Sequence, residues 1–262
     1  MIVAFDIETI PDLSTGEKLY GLEGIEAKEA AKAMLAARRT RVPDAVMVPL
    51  HLQRVAAISV TVRWNEENFM VKSLGSIDSD EKELVEIFFK SIDKNPTLVS
   101  WNGNGFDLPV LQYRALHHSI QNVRYWDTGT FDREMKWNNY QSRYHERHID
   151  VMDTLARYSP RGMASLDDIA QLTGLPGKIG IGGASVFDAY LEGRSEEIRS
   201  YCEIDSLNTY LIFLRFQLIR GHFTDKEYQS EIQCVRNWLK NSDKPHFHEY
   251  LESWKEHKSQ ES

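Results

Sequence analysis

The chain opens on a strict alternation. Ile2, Ala4, Asp6 and Glu8 fall on one side of an extended segment and Val3, Phe5 and Ile7 on the other, so residues 2 to 8 read as a strand whose two carboxylates share a face. A polar, Ala-rich stretch from Glu23 to Arg41 reads as a helix on an excursion from that strand, ended by Pro43. Arg54 to Trp64 and Phe69 to Leu74 then form two strand-like runs around a short polar turn, a hairpin. Asp80 to Ile92 has the spacing of an amphipathic helix, Thr97 to Trp101 that of a short strand, and Asp107 to His118 that of another helix. Three strands prone to antiparallel pairing, followed by helix, strand and helix, predict an α/β fold with a mixed central sheet flanked by helices.

Further along, Ser165 is placed to cap a short helix that stops at Gly174, and Ser195 opens a long one that stops at Gly221. From Thr224 the pattern is charged and helical, with a break near Pro245 and a polar end expected to fray. This divides the chain into a domain over residues 1–223 and a helical appendage over 224–262. The Gly-rich stretch from Gly177 to Gly183 carries neither GxGxxG nor GKS/GKT and so lacks the signature of a phosphate loop.

Composition narrows the function. With 42% hydrophobic residues in 262, the chain can bury a full core. No apolar run approaches the roughly 20 residues of a membrane span, and Asp6 and Glu8 interrupt the opening where a signal peptide would stay apolar. A cytoplasmic protein without membrane contact is therefore expected. Cys202 and Cys234 have neither the number nor the spacing for a zinc cluster or a disulfide framework. The net charge of -8 sits poorly with a phosphate backbone as partner, unless part of the acidity belongs to a site filled by divalent cations, which reverses the local field. Basic residues cluster at Arg38-Arg39-Thr40-Arg41, read as a solvated face, and from Arg143 to His148.

Three separated segments supply acids that a sheet-and-helix domain can bring together: Phe5-Asp6-Ile7-Glu8-Thr9, then Asn102 to Asp107, then Tyr201-Cys202-Glu203-Ile204-Asp205. Each is common alone; the four-residue spacing of Tyr201 and Asp205, for instance, merely puts both on one helix face. In this order they resemble the Exo I, Exo II and Exo III motifs of the DEDDy exonucleases. The run from Met1 to about Tyr228, including SWNGNGFDLPVLQYRAL, PGKIGIGGASVFDAYLEGR and YCEIDSLNTYLIFLRFQLIRG, is similar to stand-alone bacterial predicted 3′→5′ exonucleases related to the exonuclease domain of B-family DNA polymerases.

The resemblance implies a ribonuclease H-like three-layer fold and a metal-dependent 3′→5′ exonuclease that releases nucleoside 5′-monophosphates from single-stranded nucleic acid, DNA favoured. It implies two divalent cations, Mg²⁺ or Mn²⁺. Asp6 would bridge both, Glu8 and Asp205 would complete the first, and Asp107 would hold the second directly or through water. Hard oxygen ligands suit these ions, and such a pair clamps the attacking and leaving oxygens of an in-line displacement. Tyr201 would orient or deprotonate the attacking water; the histidine of the DEDDh branch is replaced by Ser200. The chain has no room for palm, fingers and thumb, so proofreading would serve a separate polymerase or repair protein. Ser165, Leu166 and Lys178 match substrate contacts of protein-primed polymerases, and Thr9, Ile10, Trp101, Asn102 and Phe106 complete the expected substrate-binding set.

Several of these residues have plainer readings. Ser165 is explained by capping, Lys178 by loop charge, Asn102 by a turn or a phosphate contact, and Trp101 and Phe106 by core packing. The aromatic and basic stretch from Tyr125 to His148 reads as a lid packed on the core, with a strand-binding wall as the alternative. Asp150 and Asp153 read as cap and surface acids, and His246 and His248 as surface residues. Two other functions fit the same fold, a binding module without catalysis and an endonuclease or resolvase; an exoribonuclease fits the same motifs.

Overall fold

The computed structural model describes residues 1–65 and 68–260, the last six by backbone alone. Five strands form one mixed sheet: β1 (Ile2–Pro11), β2 (Gln53–Arg63), β3 (Phe69–Ser73), β4 (Thr97–Ser100) and β5 (His148–Asp150), in the order β3-β2-β1-β4-β5. The first three pair antiparallel, while β1–β4 and β4–β5 are parallel, which places the strand bearing Asp6 and Glu8 at the centre. The turn between β2 and β3 includes residues 66 and 67, outside the description, as are the terminal side chains expected to fray.

The helices are α1 (Leu13–Tyr20), α2 (Ala27–Arg39), α3 (Glu81–Ile92), α4 (Asp107–His118), α5 (Val123–Trp126), α6 (Val151–Leu155), α7 (Leu166–Leu172), α8 (Val186–Leu191), α9 (Ser195–Ile219), α10 (Asp225–Asn241) and α11 (Pro245–Gln260). The alternation of β1 sorts them into layers. Val3, Phe5 and Ile7 pack with Phe88 of α3 and Leu111 of α4 on one face, while Ala4 packs with Ile204 and Leu207 of α9 on the other. This is the three-layer α/β arrangement that the strand order predicts.

α9 is buried on most of its circumference because α10 and α11 cover the side turned away from the sheet. Leu239, Phe247, Tyr250 and Trp254 join its core, and the Tyr250 hydroxyl donates to Asn208 Oδ1 at 2.6 Å. Glu203, buried in α9, accepts bonds from Ser73 of β3 (2.8 Å) and Lys244 (2.6 Å) and pairs with His246 (2.8 Å). His246 is therefore not the surface residue its place near the chain end implied; His248 is exposed.

The excursion between β1 and β2 differs from expectation. The helix expected over 23–41 is α2 alone, started by Glu26, whose side chain accepts from Lys28 and Glu29, and ending four residues short of Pro43. α1 precedes it, capped by Asp12 and closed by Gly21 in the left-handed region. Arg38 and Arg39 are not merely solvated: they donate to the carbonyls of Met47, Val48 and Ala45 and tie down the following loop. Among the described residues no helix is long and apolar enough to cross a membrane.

Candidate active site

β1 carries Asp6 and Glu8 to the face covered by α9, and a register shift follows directly, with Glu8 opposite Ala57 and Thr9 opposite Val55. Such a bulge bends a strand and re-aims its side chains. α9 answers with Asp205 and, one turn earlier, Tyr201; the Cys202 thiol reaches the Asp6 carbonyl at 3.3 Å and fixes helix against strand. One carboxylate oxygen each from Asp6, Glu8 and Asp205 then lie within 4.8 Å of one another. Asp107 lies outside that group of three, at the first turn of α4, where the backbone N–H groups of its own residue and of Ile7 pull against the burial that raises its carboxyl.

The charges oppose one another. Loss of solvent raises the Asp6 carboxyl well above the ordinary range, and Glu8, Asp205 and Asp107 raise it further. Glu8 is raised in the same way, by burial and by Asp205 and Asp107, against a smaller pull from Lys178. Burial lifts Asp107 to about 7 and Asp205 to about 6. At an effective dielectric of ~20, two such charges under 5 Å apart repel by roughly 3 kcal/mol. Asp6 Oδ2 and Asp205 Oδ1 are buried with no hydrogen-bond partner. A cluster made wholly of hard carboxylate oxygens, two of them unpartnered, fits a divalent cation such as Mg²⁺ or Mn²⁺.

Tyr201 is buried one helical turn before Asp205, the first of the charges its phenol faces. Burial and then the charges of Asp205, Glu8 and Asp6 push the phenol far above its ordinary value. Lys178 holds its ammonium 5.6 Å from the centre of the Tyr201 ring, and its backbone N–H is anchored on Asp167 at 2.8 Å. The lysine thus stands at the acid cluster.

The other expected residues divide. Thr9 and Phe106 line a cleft of about 690 Å³ that opens beside Glu8, whereas Ile10, in the same strand as Thr9, is buried against Val186 and Ile198. Thr9 hydrogen-bonds Gln53 at 3.0 Å. Trp101 packs against the α9 core and donates to the Ala164 carbonyl at 3.1 Å; Leu166 is buried in that core, and exposed Ser165 caps α7 through the Asp168 N–H. Asn102 takes a left-handed conformation (φ 64) in the turn that delivers Asp107. Along the aromatic and basic stretch, Tyr125 and Tyr140 stack in the core, while Trp137 and Tyr144 stand 75% and 80% exposed, so it both packs and presents rings to solvent.

Two residues matter that the sequence reading passed over or placed differently. Asp150 caps α6 as expected, but it is buried rather than at the surface, and its carboxylate gathers the backbone N–H groups of Asn102 (3.1 Å), Asn104 (2.9 Å) and Asp153 (3.2 Å). It therefore holds the turn before Asp107. Glu203 was hidden inside Tyr201-to-Asp205, facing away from the acids. For Asp150 the signal was available, since an acid at the end of a strand is a natural acceptor for the N–H groups of an adjoining Asn-Gly-Asn-Gly turn.

Residues 46–254 match a family described as a predicted 3′-5′ exonuclease related to the exonuclease domain of PolB. β1 and the two-helix excursion precede the matched segment, so Asp6 and Glu8 are placed by the structure alone. A DNA polymerase of Archaeoglobus fulgidus is 24% identical over 159 residues, 59% of this chain and 19% of the polymerase. The family B DNA polymerase of Pyrobaculum calidifontis is similar in fold, with a TM-score of 0.50 and 16% identity over 83% of this chain and 24% of that one. The chain thus spans about a fifth to a quarter of these relatives' length. With a family match over residues 46–254, most of its length, the chain belongs to the family of predicted 3′-5′ exonucleases related to the exonuclease domain of PolB.

Proposed function

We propose that this chain is a DEDDy-type 3′→5′ exonuclease that removes nucleoside 5′-monophosphates from the end of single-stranded nucleic acid, DNA favoured. The observation that carries this reading is the convergence of Asp6, Glu8 and Asp205 with two unpartnered buried oxygens, and the buried Tyr201 phenol facing the same acids. When bound by Asp6, Glu8, Asp205 and Asp107, two Mg²⁺ or Mn²⁺ ions supply the positive charge that neutralises the acids and the Lewis acidity that activates water and steadies the leaving oxygen. Asp6, whose charge is opposed by all three other acids, is the carboxylate that such ions would relieve most.

Tyr201 orients the attacking water. Burial and three carboxylates favour the protonated phenol, whose oxygen can accept a hydrogen bond from that water. Lys178 supplies a cation for the phosphate under attack, and Phe106 offers a face to the terminal base. A single strand is favoured because opening a duplex end costs a few kcal/mol before a nucleotide can reach the acids. In this reading residues 224–262 are an appendage built onto the back of α9, and the enzyme works in the cytoplasm, serving a separate polymerase or repair protein.

The test is product analysis on matched 3′-labelled and 5′-labelled DNA and RNA strands with Mg²⁺, Mn²⁺ or EDTA. Stepwise release of mononucleotides from the 3′ end, abolished by EDTA, is expected. Turnover that persists in EDTA, or release that begins at the 5′ end, would overturn the reading.

A further inference from the structure

The β1-to-β2 connection is far longer than its geometry needs. Pro11 and Gln53 are paired across the ladder, and the Asp12 N–H donates to the Leu52 carbonyl at 2.8 Å, so a two-residue turn would join them. Instead the chain inserts α1 and α2, with a small core of their own around Leu22, Ala30, Met34, Val48 and Leu52. The packing is close: a Cβ on Gly16 would stand 2.4 Å from the Met34 sulfur. Asp12 roots the insertion, accepting from Ser14 and Thr15 within it and from the buried Arg114 at 2.7 Å.

One face of α2, spaced as a single helical stripe through Lys28, Ala31, Lys32 and Leu35, forms a wall of the cleft beside Glu8. Phe187 and Asp188 of α8 form the facing wall. Lys28 spans the two, reaching Asp188 at 2.8 Å. The occupant must place a phosphodiester at the acids and a nucleotide against two lysines and two aromatic rings. That describes the end of a strand. α2 and the Lys28–Asp188 bridge stand across one side of this cleft, in the way of a strand that continues past that nucleotide on that side. The bridge is exposed on both sides, 45% and 52%, so it adds little to stability and stands where a substrate can meet it.

We propose that the α1–α2 insertion is a cap that makes the enzyme specific for strand ends, its α2 face and the Lys28–Asp188 bridge shutting the cleft to the interior of a strand. This rests on the exonuclease reading above and adds to it the element that excludes internal cleavage.

The experiment compares a covalently closed circular single-stranded DNA with the linear strand of the same sequence, in Mn²⁺. Digestion of the linear strand by the wild type tests the exonuclease reading by itself, and the fate of the circle tests the cap. The wild type should leave the circle intact. A chain with Asn-Gly in place of residues 13–51, shown to be folded by circular dichroism, should nick it. Lys28→Glu, which keeps the cap in place but repels Asp188, should raise the ratio of internal to terminal cuts at least tenfold. Nicking of the circle by the wild type, an intact circle with the folded capless chain, or an unchanged ratio for Lys28→Glu would each overturn the proposal.

Discussion

Asp150→Ala separates a turn that merely folds from one that is held in place for the neighbouring carboxylate. Three part-buried N–H groups, from Asn102, Asn104 and Asp153, end on Asp150. Together, donors that water only partly reaches cost about 1–3 kcal/mol when left unpaired, and loss of the α6 cap about 1 kcal/mol more. Part of this is offset, because burial raises the Asp150 carboxyl and the substitution removes that penalty. A net destabilisation of up to about 4 kcal/mol follows, which lowers the melting temperature by up to about 15 °C in a domain of this size. The catalytic effect is distinct. Asp107 begins the helix that this turn delivers, and a displacement of about 1 Å costs roughly 10²-fold in rate. Single-turnover digestion of a labelled strand, run well below the variant's melting temperature across a Mn²⁺ series, should show a loss of about 10- to 100-fold and a higher half-saturating Mn²⁺ concentration. Asp150→Asn keeps one acceptor oxygen and should fall between the two. A variant with lowered melting temperature but wild-type rate and Mn²⁺ dependence would refute the reasoning and leave Asp150 as a helix cap.

Asp205→Asn removes one of the mutually repelling charges, so the metal-free protein should melt a few degrees higher than wild type while hydrolysis is nearly abolished; a lower melting temperature would contradict the repulsion described. Tyr201→Phe deletes the hydroxyl that faces Asp205 and leaves the carboxylates, so turnover should drop about tenfold to a hundredfold. A loss beyond about 10³-fold would instead point to proton transfer by the phenol. Burial pushes the Asp12 carboxyl up, but bonds from Thr15 and Arg114 outweigh it and hold the group at about 2. A depressed acid stabilises the fold above its unfolded value, near 4, and loses that contribution as pH falls toward 2. Asp12→Asn should therefore lower the melting temperature at pH 6, with the difference shrinking below pH 4; a gap that stays constant with pH would count against this network.

Much of the fold was legible because its signals are local. The alternation through β1 sorts Val3, Phe5 and Ile7 from Ala4, Asp6 and Glu8, and the structure packs them on the two faces so assigned. The spacing of Tyr201 and Asp205 brought both to one site. What escaped depends on partners far along the chain. Glu203 is bound from residues 73, 244 and 246, and Arg114 from 12 and 81, separations that no window of periodicity spans. β5 has only three residues and takes its strand character from β4, and α1 has too few buried positions to show a stripe. The acid triad was readable as a set of types, but the offset of Asp107 from Asp6, Glu8 and Asp205 was not, because it is set by the turn that Asp150 holds.

The central place of β1 has a consequence for how the molecule comes into being. β1 is the strand made first, yet its neighbours β2 and β4 begin some fifty and a hundred residues later. During synthesis, at about 5–20 residues per second, it waits seconds for either edge to be covered. An apolar segment with two open edges is the kind that pairs with copies of itself. Asp6 and Glu8 interrupt that segment, and before α9 exists both are solvated and charged. The same two carboxylates that crowd the finished site therefore serve the nascent chain as gatekeepers against self-association, so a substitution chosen to silence the enzyme by making either one apolar also removes a safeguard on its folding.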